Sequence, residues 1–208
     1  MPQVNIGVLI SGSGTNLQSL IDNIEKGNIK GTIKVVISNR RDAYGLERAK
    51  KHGIDAVYIR QKDFESFEDF NKAIIDVLKA HEVELVVLAG YLKILTPQFI
   101  EEYKNRIINI HPSLIPAFCG KGYYGIRVHE EVINYGVKIS GATVHFVDEG
   151  ADTGPIIIQE AVEVTEEDTA ESLQAKVLKI EHKILPLAVK YYCEGRLQIE
   201  GRRVLIKE

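Results

Sequence analysis

The chain has 208 residues, 45% of them hydrophobic and 26% charged, with a formal net charge of -3. That balance suits a soluble globular protein and lacks the basic surplus that announces nucleic acid. No apolar run approaches the roughly 20 residues that cross a bilayer, so no membrane partner is expected.

The opening MPQVNIGVLI enters a strand-like run directly. It lacks the basic, apolar and cleavage-site order of a secretory leader. Cys119 and Cys193 lie far apart and form no C-x-x-C pair, which reads as two reduced thiols in a cytoplasmic protein, with no metal site.

Elements follow in alternation. Residues 4–10 are almost continuously apolar, then Ser11-Gly12-Ser13-Gly14 breaks the run. Leu17, Leu20, Ile21 and Ile24 recur at helical spacing. Residues 32–38 predict a second buried strand, 44–52 a helix stopped by Gly53, and 55–59 a short strand. Phe70, Ile74, Val77 and Leu78 give 67–81 one apolar helical face, and 84–89 is the most apolar strand. Pro97 suits a helix start, and 106–110 predicts the next strand.

Strands apolar on both faces, alternating with helices, predict a mostly parallel sheet flanked by helices. The pattern then changes. Residues 140–147 and 155–164 read as antiparallel or mixed strands around the turn-rich DEGADTG. Asp168-Thr169-Ala170-Glu171 offers a capping box for a long C-terminal helix through Leu173, Val177, Ile180, Ile184 and Leu187. Pro186 lacks the N–H that would bond the His182 carbonyl, which predicts a kink. Residues 197–206 read as a terminal hairpin around Glu200-Gly201. No repeat or linker interrupts the chain. The expectation is one α/β, Rossmann-like domain, with halves at about 1–105 and 106–195 followed by the hairpin.

Three segments carry chemistry. "LISGSGTNLQSLI" is strand, glycine turn and helix, and backbone N–H groups at a helix start attract anions. Gly12 and Gly14 match the first two glycines of G-x-G-x-x-G, but Leu17 fills the third place. No acid ends the second strand to hold a ribose; Arg40 and Arg41 stand there and would suit an NADP phosphate. A single substrate phosphate, a dinucleotide and a ligand-free turn all remain open at this point.

In "NIHPSLIPAF", Asn109 and His111 occupy i and i+2 of a strand, so they project from one face. Pro112 ends that strand and keeps His111 at the carboxyl rim of the sheet, where ligands of open α/β sheets bind. An amide and an imidazole side by side suit a developing oxyanion, or else simply finish a strand end. In "DEGADTGP", Asp152 lies between two strands. Beside His111 it would raise the imidazole pKa; alone it would be a solvated turn residue. The remaining histidines, at 52, 81, 129, 145 and 182, show no metal-ligand spacing and read as structural or surface residues.

Together, "SGSGTNLQ", "VVLAGYLKIL", "NIHPSLIPAF", "GATVHFVDEGADTGPII" and "IEHKILPL" resemble the phosphoribosylglycinamide formyltransferase family, in the family's order and from about residue 4 to 195. The wider superfamily shares the N-x-H-P-S-L-x-P core and the later aspartate, and includes methionyl-tRNA formyltransferase and formyltetrahydrofolate deformylase. The N-terminal glycine loop and the chain length favour the purine enzyme.

The resemblance implies formyl transfer from 10-formyltetrahydrofolate, the co-substrate, to the glycyl amine of glycinamide ribonucleotide, by a monomer or homodimer. It implies Asn109, His111 and Asp152 as the catalytic trio, with Asn109 also at the folate. It implies Gly14, Thr15 and Asn16 at the substrate phosphate, and Glu181 at the substrate. Leu92, Lys93, Ile94 and Leu95, with Asp148, Glu149, Gly150 and Ala151, are implied as folate-pocket walls. Hydrolysis of the formyl folate is the alternative on this scaffold, and an NADP-binding reductase or sensor a third reading. The chain departs from the pattern at Phe67 and Lys93, where arginines are common, and at Cys119, where proline is frequent, opening the 119–128 loop.

Overall fold

The computed structural model describes residues 3–208. The chain divides into two compact units, Met1–Ile108 and Asn109–Glu208.

In the first unit, β1 (Val4–Ile10), β2 (Gly31–Ser38), β3 (Asp55–Tyr58) and β4 (Leu85–Leu88) form parallel strands in the order β3-β2-β1-β4. Helices α1 (Thr15–Glu25), α2 (Tyr44–Lys51), α3 (Phe67–Ala80) and α4 (Pro97–Glu102) lie between or after them. Strand β4 is buried at all four residues, as an apolar run in a doubly covered sheet requires. Leu17, Leu20 and Ile21 of α1 are buried together, and so are Phe70, Ile74, Ile75 and Leu78 of α3. Ser66 caps α3 by accepting the Asp69 N–H, and Thr96 caps α4 ahead of Pro97.

Strand β5 (Ile107–His111) crosses the boundary between the units. It starts and ends one residue later than its apolar run predicts, so His111 is its last residue. The second unit continues with α5 (Ile126–Tyr135), β6 (Ile139–Phe146), β7 (Ile156–Glu163), α6 (Ala170–Cys193), β8 (Leu197–Glu200) and β9 (Arg203–Ile206). β6 pairs antiparallel with β7, β7 parallel with β9, and β9 antiparallel with β8, the mixed pairing expected of this half.

Two readings change. The 119–128 loop gives way to a ten-residue helix at Ile126. Helix α5 buries only Val128, His129 and Val132, too narrow a stripe to stand out beside the charged residues, and ends at Gly136 in the left-handed conformation. The cap of α6 sits one residue later than the pattern suggests. Thr169 is the N-cap and exchanges bonds with Ser172. Asp168 instead binds Thr165 and Lys176, which removes it from the cap position. α6 is one helix through the buried Pro186 to Cys193.

Candidate active site

The stretch after β5 is held by side chains distant in sequence. Thr143 on β6 donates to the Ser113 carbonyl at 2.6 Å and accepts from the Ile115 N–H at 3.1 Å. Gln159 on β7 bonds both the Ile115 carbonyl, at 2.9 Å, and Thr143, at 3.0 Å. Ser113 reaches the Ala117 carbonyl at 2.6 Å. The exit of His111 from the sheet is therefore fixed on both sides.

Asn109, His111 and Asp152 come together within the second unit. Asn109 Nδ2 lies 3.4 Å from Asp152 Oδ1, and His111 Nδ1 lies 3.6 Å from Asp152 Oδ2. Both strand side chains thus share one face, as their spacing requires. Asp152 sits in the left-handed region at φ 58°, which aspartate tolerates better than most side chains. Its Oδ2 accepts the Gly120 N–H at 2.8 Å.

His145, read from sequence as structural, completes the cluster. Its Nδ1 is 2.7 Å from the Phe146 carbonyl, which only accepts, so Nδ1 carries the hydrogen. In the neutral ring Nε2 is then the acceptor for Asn109 Nδ2, 3.1 Å away. Asn109 therefore spends its two amide hydrogens on His145 and Asp152. The only sequence signal for His145 was its place on the inward face of β6, opposite the β7 segment after the acidic loop.

The same reasoning sets the tautomer of His111. Its Nε2 lies 3.0 Å from the Phe118 carbonyl and must donate, leaving Nδ1, the nitrogen nearest Asp152, as the site of proton uptake. The expected upward shift of its pKa is corrected here. His111 is only 5% exposed, and burial drives its pKa below the ordinary imidazole value. Asp152 and the Phe118 carbonyl pull upward, but burial prevails because removing a charged ring from water costs more than one carboxylate at 3.6 Å returns. At Asp152, burial alone would raise the carboxyl pKa. His145, His111 and the Gly120 N–H together outweigh it and hold the group below its usual range, hence ionised. Burial, then Asp152, pushes the Cys119 thiol up, which makes it a poor nucleophile.

The flanking loop closes on itself. Asp148 Oδ1 accepts from the Gly150 N–H at 3.2 Å and from Thr153 Oγ1 at 2.5 Å. That leaves Glu149, Gly150 and Ala151 exposed at its tip. Glu181 is buried on α6.

In the first unit, the glycine turn leads into α1 through Gly14, the N-cap, at φ 70°. No side chain caps α1, and its first turn holds no acidic residue, so the helix itself supplies no anion to its positive end. Thr15 and Asn16 open the helix. Gly45 packs against the turn, donating to the Gly12 carbonyl at 3.1 Å, while Arg48 Nε holds the Ser13 carbonyl at 2.9 Å. Ser11 ties the turn to the ends of β2 and β4 through Asn39 (2.6 Å) and the Leu92 N–H (2.9 Å). Among the expected folate walls, Leu95 is buried, whereas Leu92 and Ile94 are 51% and 66% exposed. Phe67 stacks on Phe70 with ring centroids 6.0 Å apart, so its side chain is spent on packing.

Residues 4–189 match the formyl transferase family model. The chain belongs to the formyl transferase family. It is 44% identical over 195 residues to phosphoribosylglycinamide formyltransferase of Haemophilus influenzae, covering 94% of this chain and 90% of that protein. Glycinamide ribonucleotide transformylase 1 of Symbiobacterium toebii superimposes with a TM-score of 0.94 at 48% identity, covering 99% of this chain and 95% of that one. A formyltetrahydrofolate deformylase from Pseudomonas syringae pv. tomato gives a TM-score of 0.90 at 26% identity, covering 99% of this chain but 66% of the deformylase. The fold is therefore that of the family, and the similarity favours the transferases over the deformylase. Among the described residues no group of histidine, cysteine and carboxylate side chains has metal-binding geometry, and no helix is long and apolar enough to cross a membrane.

Proposed function

We propose that the chain transfers the formyl group of 10-formyltetrahydrofolate to the glycyl amine of glycinamide ribonucleotide. The observation that carries the reading is an ionised Asp152 between the proton-accepting Nδ1 of His111 and the amide of Asn109. The neutral amine nitrogen bonds to the formyl carbon, and charge grows on the formyl oxygen. The bond from that carbon to N10 then breaks, and the proton shed by the amine ends on N10.

Asp152 attracts that proton and His111 Nδ1 relays it, so a protonated His111 belongs to the reaction and not to the resting protein. Asn109 is the donor to the developing oxyanion; it turns one amide hydrogen away from Asp152, the longer of its two contacts. Gly14, Thr15 and Asn16 hold the ribonucleotide phosphate, whose binding energy positions the amine. Glu181 contacts the ribonucleotide. Leu92, Lys93, Ile94 and Leu95, with residues 148–152, receive the folate. This reading makes the protein a cytoplasmic small-molecule enzyme, a monomer or homodimer, with no nucleic-acid or membrane partner and no metal.

The test is absorbance of the deformylated folate with and without the ribonucleotide. Turnover that requires it is the expected result. Turnover without it identifies a deformylase and overturns the proposal.

A further inference from the structure

Phe118 adopts a backbone conformation that its side chain disfavours. Its φ is 49°, in the left-handed region where a bulky residue is strained. Such a conformation persists only where its surroundings hold it, and it gathers where a site needs it. Two tyrosines hold it here. Tyr123, in the loop before α5, meets the Phe118 ring edge-on with centroids 6.2 Å apart. Tyr135, the last residue of α5, does the same at 5.8 Å. Edge-on aromatic pairs attract beyond the area they bury, and two of them together are comparable to the cost of one strained residue. Tyr135 is 79% exposed, so its ring adds little to the core.

The strain has its effect at His111. With that backbone the Phe118 carbonyl lies 3.0 Å from His111 Nε2. Two acceptors compete for the single hydrogen of the neutral ring. An ionised carboxylate is the stronger acceptor, and in contact with Nδ1 it would draw the hydrogen there. Asp152 Oδ2 stands 3.6 Å from Nδ1, beyond hydrogen-bond length, whereas the carbonyl is within it. The carbonyl therefore decides the tautomer. Turned away, it would leave an unpaired donor on a ring that is 5% exposed, and the hydrogen would pass to Nδ1. The nitrogen facing Asp152 would then have no lone pair for a proton.

We propose that Tyr123 and Tyr135 are positioning residues for formyl transfer: their rings clamp Phe118 so that its carbonyl keeps the His111 hydrogen on Nε2 and leaves Nδ1 open to the proton of the attacking amine. The inference rests on the proton relay given above. Both tyrosines act through the Phe118 backbone, so the rings are required and the hydroxyls are not. The loop that carries Tyr123 also reaches the carboxylate. Tyr123 N–H donates to the Gly120 carbonyl at 3.1 Å, and the Gly120 N–H donates to Asp152 Oδ2 at 2.8 Å.

Two readouts test it. Nitrogen NMR of the His111 ring reports the tautomer of the resting protein and needs no turnover; kcat and the two KM values report the reaction. The variants are Tyr135→Leu and Tyr123→Leu/Tyr135→Leu, with Tyr123→Phe/Tyr135→Phe to restore the rings. Tyr135→Leu alters an exposed side chain and keeps the test available if the double leucine variant fails to fold. The unaltered chain is expected to hold the hydrogen on Nε2. In the leucine variants part of it should move to Nδ1, and kcat should fall with the remaining fraction, by roughly tenfold in the double variant, while both KM values change little. The phenylalanine pair should recover the tautomer and the rate. Hydrogen that stays on Nε2 in both leucine variants overturns the proposal, whatever the rate. A loss that the phenylalanine pair does not recover assigns the effect to the hydroxyls and overturns the clamp. Hydrogen that moves to Nδ1 while kcat stays normal supports the clamp and overturns the relay through His111.

Discussion

Asn109 Nδ2 and His145 Nε2 lie 3.1 Å apart, and Nδ1 of that histidine is anchored 2.7 Å from the Phe146 carbonyl. The ring therefore presents a lone pair that fixes which way the amide of Asn109 points. His145 is a positioning residue in this arrangement. His145→Ala should lower kcat by roughly 10- to 100-fold, as loss of a group that orients a donor does. Both KM values should change little. His145→Gln, which restores an acceptor, should recover part of the loss. A kcat near that of the unaltered chain for His145→Ala would remove the residue from the mechanism.

Asp152→Asn keeps the size of the side chain and removes the charge. Proton transfer by a positioned group is typically worth about 100- to 10,000-fold, so kcat should fall into that range. Folate affinity, read by calorimetry, should stay within a few-fold. A rate close to normal would exclude Asp152 as proton carrier.

Asp152 also raises the pKa of His111 against the pull of burial. Removing its charge should therefore lower the His111 pKa further, and an NMR titration of the imidazole in Asp152→Asn reads that directly. An unchanged or higher value would mean that the pair does not interact in solution.

His129, buried on α5, has its pKa pushed down to about 4, first by burial and then by His111. In the unfolded chain an ordinary histidine titrates near ~6.5. As pH falls below that value the unfolded state takes up the proton first. Stability is therefore full above about 6.5 and declines as pH drops toward the folded value, by on the order of 3 kcal/mol for this one group. His111, also lowered, acts in the same direction. Urea unfolding at pH 7 and at pH 4.5 should show the loss, and His129→Gln should reduce it. An equal loss with and without His129 would assign the acid sensitivity elsewhere.

Gly14→Ala tests the turn before α1. The position is left-handed at φ 70°, and an added Cβ would come within 2.6 Å of the Gly45 Cα. Backbone meets backbone there, so relief requires α2 to move. The variant should lose about 1–3 kcal/mol of stability by thermal melting, and the KM for the ribonucleotide should rise more than the KM for the folate. Equal effects on both KM values would argue against a phosphate site at this turn.

Much of the architecture was legible because it rests on local periodicity. The apolar run at β1 and the helical spacing of Phe70, Ile74 and Leu78 each describe one face of one element. Neighbouring residues alone decide such faces. The shift of the α6 cap from Asp168 to Thr169 marks the limit. Both residues can cap, and the choice fell to Lys176, two turns along the helix, which engages Asp168. Helix α5 was missed because three buried side chains, one of them a histidine, leave no clear stripe.

By itself the sequence determined the strand and helix order, the shared face of Asn109 and His111, and, through five motifs in order, the family. The tertiary structure alone decided that Asp152 reaches both of them, that His145 joins the cluster, that Thr143 and Gln159 hold the segment after β5, and that burial outweighs charge at His111. Those contacts join residues tens of positions apart, and a pKa depends on how much water is excluded from all sides. Neither quantity has a local period, so both arise only when the chain is folded.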